Sequence, residues 1–299
     1  MSLNETPLAK EAKSRMSDEF SDYTLYDRLS KTVKDGSPFE EVLKHLSATE
    51  LGHSEFWKKY VPGEEPRVSR FKLYWVLFLR RIFGLTFATR YLDRHEGNVV
   101  KEYESIAHLI PDSDKGAFDK MVADEKEHEN AFSQKIESST VSYISFVVLG
   151  LADALVEISG IHAGSLGFYD RTEIAGLAGV IAGAAASMAM ASAAFAQARA
   201  GFKGSARLSA AYTGVSYFVT AIVLAAPYFL TANMVYALSS SLSLAVLILV
   251  LTTYYSTVIQ SRPFTRDFLE ILAILFGATI VLYVFGSLVR VELPGIRVS

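Results

Sequence analysis

The sequence predicts an all-α protein built from two parts, a soluble four-helix bundle followed by a domain of five membrane-spanning helices. Two observations predict it. The composition changes sharply near residue 140, from a segment rich in Lys, Glu, Asp and His to long apolar runs with almost no charge. The polar segment also contains two Glu-x-x-His elements, a pattern typical of metal-binding helices in four-helix bundles. We therefore expect a cytosolic domain over residues 1–138 and a transmembrane domain over residues 139–299.

The apolar half contains five segments long enough to cross a lipid bilayer, since a spanning helix needs roughly 20 mainly apolar residues. The predicted spans are about 141–166, 173–197, 208–231, 234–258 and 267–289. They predict an integral membrane protein of a cell or organelle membrane.

The basic residues predict the orientation of these spans, because Lys and Arg are enriched in loops that face the cytosol. Two loops on the side of the N-terminal domain carry Arg199, Lys203, Arg207, Arg262 and Arg266. The opposite side holds Arg171, and the first forty residues lack the apolar core of a signal peptide. We therefore expect the N-terminal domain in the cytosol and the C-terminus on the opposite side.

The composition restricts the kinds of ligand and metal site that the protein can have. The net charge is −3 and the isoelectric point is about 6.1, so that no basic face is expected to bind nucleic acid. The absence of cysteine excludes disulfides, thiolate zinc sites and iron–sulfur clusters. A metal site in this chain must therefore use histidine, carboxylate, methionine and water.

The two Glu-x-x-His elements are Glu50 with His53 and Glu125 with His128, placed 75 residues apart. Residues three apart lie on one face of a helix, so both members of an element can point at the same metal ion. The ferritin-like di-metal architecture uses one such element from each of two helices and a single Glu from each of the other two.

The spacing around the first turn identifies the helix that faces the first element. Glu50 lies 14 residues beyond Gly36, and in an antiparallel hairpin the facing residue lies about as far before the turn. This places Glu19 and Asp22 at the level of Glu50. The first helix is predicted over about 12–33, and Ser37 is predicted to cap the second helix.

The second hairpin shows the same spacing. Glu125 lies 14 residues beyond Pro111, which selects Glu96 as the facing residue, with Asp93 one turn earlier. Glu102 is too close to the turn by about five residues, or roughly 7 Å along a helix.

The predicted site therefore has four carboxylates and two imidazoles, a set suited to iron as Fe²⁺, or to Mn²⁺ or Zn²⁺. Its members are Glu19, Glu50, His53, Glu96, Glu125 and His128, with Asp93 as a further candidate. Any one of these Glu residues could instead be a charge on the wet face of a helix, as most are. The matching register of the two hairpins favours the metal site.

The first predicted span contains two carboxylates, Asp153 and Glu157, which are four residues apart and share one face. A carboxylate at membrane depth costs several kcal/mol unless it faces a polar pathway or a bound cation. The pair predicts a site for a hard cation or a proton, with Met188 and Met190 of the second span as candidate soft ligands. For His162, near the end of the first span, we expect a structural or snorkelling role.

Between the two hairpins, residues 71–79 form a short apolar and aromatic run that is followed by Arg80 and Arg81. The run is too short for a spanning helix. Aromatic residues beside arginine are typical of a helix that lies at a membrane interface.

These motifs resemble a known family. The run Val-Leu-Gly-Leu-Ala-Asp-Ala-Leu-Val-Glu at 148–157 resembles the first-helix signature of the vacuolar iron transporter family, and Met-Ala-Ser at 190–192 looks like its next signature. The Glu19 segment, both Glu-x-x-His elements and residues 84–96 look like the rubrerythrin-type domain fused to such transporters in prokaryotes. The resemblance implies a homodimer that exports Fe²⁺ or Mn²⁺ from the cytosol in exchange for protons.

The chain departs from this family in two places. Family members often carry a Glu late in the second span, where residues 193–195 are Ala-Ala-Phe. Stand-alone transporters also place a Glu-rich insert between the second and third spans, where this chain has only residues 198–206. We expect the N-terminal domain to take over metal capture. The alternatives are a membrane-anchored di-iron ferroxidase or peroxidase, and a sensor in which bound metal gates the pore.

Overall fold

The computed structural model describes residues 6–34, 36–135, 139–260 and 262–292. Within these ranges, the side chains of residues 38, 93–98, 127–135, 139–142, 291 and 292 are not described. The chain divides into two compact units, Met1–Ile136 and Glu137–Ser299. All regular elements in the described ranges are helices, which confirms the predicted all-α class.

The N-terminal unit contains five α-helices and a short 3₁₀ turn among its described residues. They are α1 (Pro7–Ser30), α2 (Pro38–Lys58), α3 (Arg70–Phe83), α4 (Leu85–Ile106), the turn Ala107–Leu109 and α5 (Lys115–Lys135). Helix α1 begins five residues before the predicted start, because Thr6 accepts a hydrogen bond from Ala9 N and Pro7 follows it. The predicted cap of α2 is confirmed, since Ser37 Oγ accepts from Glu40 N at 3.2 Å.

Helices α1 and α2 pack as an antiparallel pair. Ser54 Oγ donates to Met16 O at 2.8 Å, and Ser47 Oγ donates to Tyr23 O at 3.2 Å. Residue numbers therefore rise along α1 in the direction in which they fall along α2. Helices α4 and α5 pair in turn, and α5 also contacts α2. This arrangement brings residues from three helices to one level of the unit.

An aromatic cluster forms one end of the interior of this unit. Trp57 is fully buried, and its ring lies 5.7 Å from that of Tyr103 and 6.0 Å from that of Phe118, measured between centroids. Phe56 completes the cluster, with its ring 5.2 Å from Trp57. Because these rings come from α2, α4 and α5, they hold the three helices in one arrangement.

In the described part of the C-terminal unit, the five predicted segments are confirmed as helices. Its helices are α6 (Ser139–Phe168), α7 (Thr172–Gly201), α8 (Ala206–Leu230), α9 (Met234–Gln260) and α10 (Phe264–Glu292). Each contains a stretch long and apolar enough to cross a membrane. The five spans fit an integral membrane protein.

Helix α6 contacts each of the other four helices of this unit. Polar side chains tie it to α8, where Thr213 Oγ1 donates to Phe146 O at 2.9 Å and Ser216 Oγ donates to Val147 O at 3.1 Å. Glycines let helices approach closely, as at Gly286 of α10, where a Cβ would meet the Gly164 carbonyl of α6.

The contact between α6 and α10 should therefore tolerate no side chain at Gly286. We expect Gly286→Val to destabilise the C-terminal unit by about 1–3 kcal/mol, because overpacking forces the two helices apart. Thermal unfolding of the purified protein in detergent would measure the loss. Gly277→Val is the matched control, since a Cβ there meets nothing within 4 Å. Equal unfolding temperatures for the two variants would contradict the prediction.

Candidate metal centre

Four buried ligand residues converge in the N-terminal unit: Glu19 of α1, Glu50 and His53 of α2, and Glu125 of α5. Each offers one ligand atom, and these atoms all lie within 4.8 Å of one another. We call this group the Glu–His cluster. A cluster of this size matches the space in which a single metal ion is held by several ligands.

The imidazole of His53 turns its Nδ1 toward the carboxylates. This atom lies 2.9 Å from Glu125 Oε1, 3.4 Å from Glu50 Oε2 and 3.9 Å from Glu19 Oε2. The other ring nitrogen, Nε2, lies 3.7 Å from Asp124 Oδ2. With Asp124 on the outer side, the ring can carry its proton on Nε2 and present the Nδ1 lone pair to a metal ion.

Burial and mutual repulsion change the protonation of the cluster. Burial raises the pKa of Glu19 well above its ordinary value, and the charge of Glu50 raises it further. Burial lowers the pKa of His53, but the carboxylates of Glu125 and Glu50 outweigh burial and raise it to about 10. Without a metal ion, the buried negative charge is therefore compensated by protons.

The donor set fits a divalent metal ion. Three carboxylates and one imidazole are hard-to-borderline ligands of the kind that iron, manganese and zinc accept. Their positions inside the unit would otherwise bring several like charges together in a poorly solvated space. A cation with two positive charges would offset this repulsion.

Tyr103 of α4 closes the cluster on the side of the aromatic core. Its hydroxyl donates to Glu19 Oε1, and Trp57 Nε1 donates to the Tyr103 oxygen at 3.4 Å. Burial raises the pKa of the Tyr103 phenol well above its ordinary value, and the nearby Glu19 carboxylate raises it further. Tyr103 is therefore held as a proton donor to a ligand carboxylate.

A groove between α2 and α5 leads from the surface to the cluster. Its wall includes His53 and Asp124, together with His45, Thr49 and Glu55. His53 is shared by the groove and the cluster. The groove therefore offers water or a metal ion an approach to the cluster from the side of His53.

The remaining predicted ligands of this unit fall outside the described side chains. The predictions for Glu96 and Asp93 on α4, and for His128 on α5, concern residues that lie in helices but whose side chains are not described. They stay predictions. Glu102, which the spacing excluded, pairs with Arg15 at 2.5 Å and does not belong to the cluster.

Of the two α1 carboxylates at the predicted level, Glu19 joins the cluster and Asp22 does not. Asp22 pairs with Lys72 of α3, whose Nζ lies 2.6 Å from Asp22 Oδ1. Burial raises the pKa of Asp22 to about 6, although Lys72 acts in the opposite direction. Asp22 is therefore paired with a lysine, whereas Glu19 lies among the other carboxylates of the cluster.

In the C-terminal unit, Asp153 is half-buried and Glu157 is exposed on the surface of the single chain. Tyr217 of α8 is fully buried, and its hydroxyl donates to Glu157 Oε2 at 2.5 Å. Met190 packs against the apolar cluster around Leu155, whereas Met188 is 72% exposed. Met188 therefore faces away from the interior of its own chain.

His162 lies buried between the helices of this unit, where snorkelling to the interface was one of the expected roles. Its Nδ1 lies 3.4 Å from Ser241 Oγ, and its ring centroid is 4.3 Å from that of Tyr228. Its Nε2 packs against Gly179 of α7, where a Cβ would collide with it. These contacts describe a packed interior residue.

Two polar partners were not predicted from the sequence. Asp124 stands directly before Glu125, so an acidic residue adjoining a Glu-x-x-His element is a signal that could have identified it. Tyr217 lies 60 residues from Glu157 in the sequence, and only the packing of α8 on α6 brings them together.

No family model, curated protein or solved structure matches this chain. The function must therefore be inferred from the geometry of the site and from the motifs in the sequence.

Metal binding by the Glu–His cluster should release protons. Because the pKa of His53 is raised to about 10, its imidazole is protonated at neutral pH and must lose a proton before it can bind a metal ion. We expect the affinity for Mn²⁺ to rise with pH, by about tenfold per pH unit for each proton displaced. Manganese EPR and a pH indicator in weak buffer would measure both effects.

Glu50→Gln should weaken this binding, since it removes one ligand charge from the cluster. Glu41→Gln is the matched control, because Glu41 lies on the same helix, is exposed and does not line the groove. Affinity that stays constant between pH 6 and pH 8 would contradict the assignment.

Proposed function

We propose that this protein transports divalent metal ions across a membrane, with its N-terminal unit serving as the domain that captures the metal. The observation that carries the proposal is the buried Glu–His cluster in a chain that also has five candidate membrane spans. Such a cluster gains little stability from its own charges and becomes favourable when a cation is bound. The simplest role for a metal-binding domain joined to membrane-spanning helices is to deliver metal ions to a pathway across the membrane.

The N-terminal unit is proposed to be a ferritin-like bundle of α1, α2, α4 and α5. In this architecture Glu96 and His128 would supply the ligands that mirror Glu19 and His53. The proposed ions are Fe²⁺ and Mn²⁺, with Zn²⁺ compatible with the same ligands. The resemblance to the vacuolar iron transporter family favours iron and manganese.

The proposed pathway in the C-terminal unit runs past Asp153 and Glu157. Glu157 lies near the middle of its span, at a depth where a carboxylate facing hydrocarbon is unfavourable by several kcal/mol. Because Glu157 is exposed on the single chain, a second copy of the chain is its proposed cover. The exposed Met188 would then face the same interface, and the transporter would be a homodimer.

Protons supply the proposed driving force. A metal ion passed from the N-terminal unit would displace protons from Asp153 and Glu157, and protonation from the other side of the membrane would release the ion. Tyr217 would keep the Glu157 carboxylate oriented during this exchange. The distribution of basic loops favours a cytosolic position for the N-terminal unit, so the proposed direction is export.

Transport in reconstituted vesicles tests this proposal. We expect the wild-type chain to carry Mn²⁺ with a counterflow of protons, and Asp153→Asn to reduce both to the level of protein-free vesicles. A metal-sensitive dye and a pH-sensitive dye would report the two fluxes. Glu173→Gln, an exposed residue at the start of α7, is the control that should retain transport.

Wild-type transport by Asp153→Asn would refute the proposed pathway. Glu50→Gln separates capture from transport, since it should raise the metal concentration needed for half-maximal flux and leave the maximal flux unchanged.

A second candidate function is oxidation of Fe²⁺ by the N-terminal unit. The observation that favours it is the contact of Glu19 with Tyr103 and of Tyr103 with Trp57, because both aromatic side chains can carry an electron. In this reaction each Fe²⁺ gives up one electron, and O₂ takes up two electrons and two protons to form hydrogen peroxide. Iron would be the substrate of the cluster.

Oxygen consumption by the full chain distinguishes this activity from capture alone. If the oxidase proposal holds, adding Fe²⁺ should consume O₂, and Tyr103→Phe should slow consumption while Mn²⁺ binding is retained. Tyr23→Phe is the control: the Tyr23 ring packs against Phe20 of the same helix, and loss of its hydroxyl should leave the rate unchanged. An oxygen electrode measures the rate, and absence of consumption by the wild-type chain would contradict the oxidase.

A further inference from the structure

Helix α3 carries an unusual surface. Its exposed apolar side chains are Phe71, Tyr74, Trp75, Phe78 and Ile82, which follow one another at the spacing of a single helical face. We call this surface the aromatic face of α3. In the described part of the N-terminal unit, every exposed large hydrophobic side chain belongs to this face.

The aromatic face is additional to the contacts that hold α3 in place. The opposite side of the helix buries Leu73, Val76 and Leu79, none of them more than 5% exposed. Neighbouring rings on the outer side are stacked. The ring centroids of Phe71 and Trp75 are 6.3 Å apart, and those of Trp75 and Phe78 are 5.7 Å apart. The face is thus a continuous ordered apolar surface rather than a set of scattered side chains.

Basic residues border this surface. Arg70 and Arg81 are both exposed, and at 100° per residue they lie on one edge of the aromatic face, at its two ends. Aromatic rings with flanking arginines fit the boundary between lipid headgroups and acyl chains, where the rings enter the apolar layer and the guanidinium groups meet phosphate. The charge of this edge is complementary to an anionic membrane surface.

We infer that α3 docks the N-terminal unit onto the surface of an anionic bilayer, with its aromatic face inserted among the lipid headgroups. The unit is joined in one chain to five candidate spans, which keeps it at a high effective concentration near the bilayer. Even a modest affinity of α3 for the membrane surface is therefore enough for docking. Lys72 on the inner side of α3 pairs with Asp22 of α1 at 2.6 Å. Docking would therefore also orient the helix that supplies Glu19 to the Glu–His cluster.

Site-directed spin labelling tests the inference in the full chain. The protein has no cysteine, so a single nitroxide can be placed at Phe78→Cys on the aromatic face and at Glu41→Cys on α2 as the matched control. Both positions are exposed, which keeps the packed interior intact. The labelled chains are reconstituted in phosphatidylcholine vesicles that contain phosphatidylglycerol, and EPR power saturation measures access to oxygen and to a water-soluble nickel chelate.

Docking predicts that the label at residue 78 has a ratio of oxygen access to nickel access several-fold higher than the label at residue 41. Equal nickel access at both positions would overturn the inference, because residue 78 would then face water. Protection of residue 78 from both reagents would also overturn it, since a second protein copy would then cover the face. The outcome does not depend on metal transport.

Discussion

The N-terminal unit depends on one electrostatic constraint, the burial of three carboxylates around a single imidazole. Glu19, Glu50 and Glu125 repel one another in a space where water cannot screen them. Protons can compensate this repulsion, as the raised pKa values of Glu19 and His53 indicate, and so can a cation. The rest of the unit must hold these groups together against their repulsion. The hydrogen bonds from the Ser54 and Ser47 hydroxyls of α2 to backbone carbonyls of α1 do this, together with the aromatic cluster around Trp57.

The C-terminal unit also contains neighbouring carboxylates, but it holds them differently. Asp153 and Glu157 are only two carboxylates, and a single phenol, Tyr217, donates to one of them. The Glu–His cluster draws its ligands from one chain and encloses them, whereas Glu157 lies on the surface of its chain. A closed site suits retention of an ion, and an open one suits its passage. An enclosed site in one unit and an exposed carboxylate in the other are consistent with the proposal that the first unit captures an ion and the second unit transports it.

Local properties of the sequence predicted the helices well, and long-range contacts limited the prediction of the site. The spans follow from hydropathy, which each segment carries by itself, and the level of Glu19 and Glu50 follows from equal spacing around one turn. Spacing alone could not choose between Glu19 and Asp22, because the pairing of Asp22 with Lys72 of α3 is a tertiary contact that spacing does not reveal. The contact of Gly164 with Gly286 was likewise hidden, since more than a hundred residues separate the two glycines.

A purely structural role is a poor explanation for the Glu–His cluster. A buried ion pair is often no more stabilising than apolar side chains of the same volume, and here three acidic groups share one basic partner. His53, a buried member of the cluster, also lines a groove between α2 and α5. Asp124 Oδ2 also lies 3.7 Å from Nε2 of the same ring, on the side away from the other carboxylates. When the ring gives up one proton to bind a metal ion, a carboxylate in this position favours the remaining proton on Nε2, which leaves Nδ1 free to bind the ion.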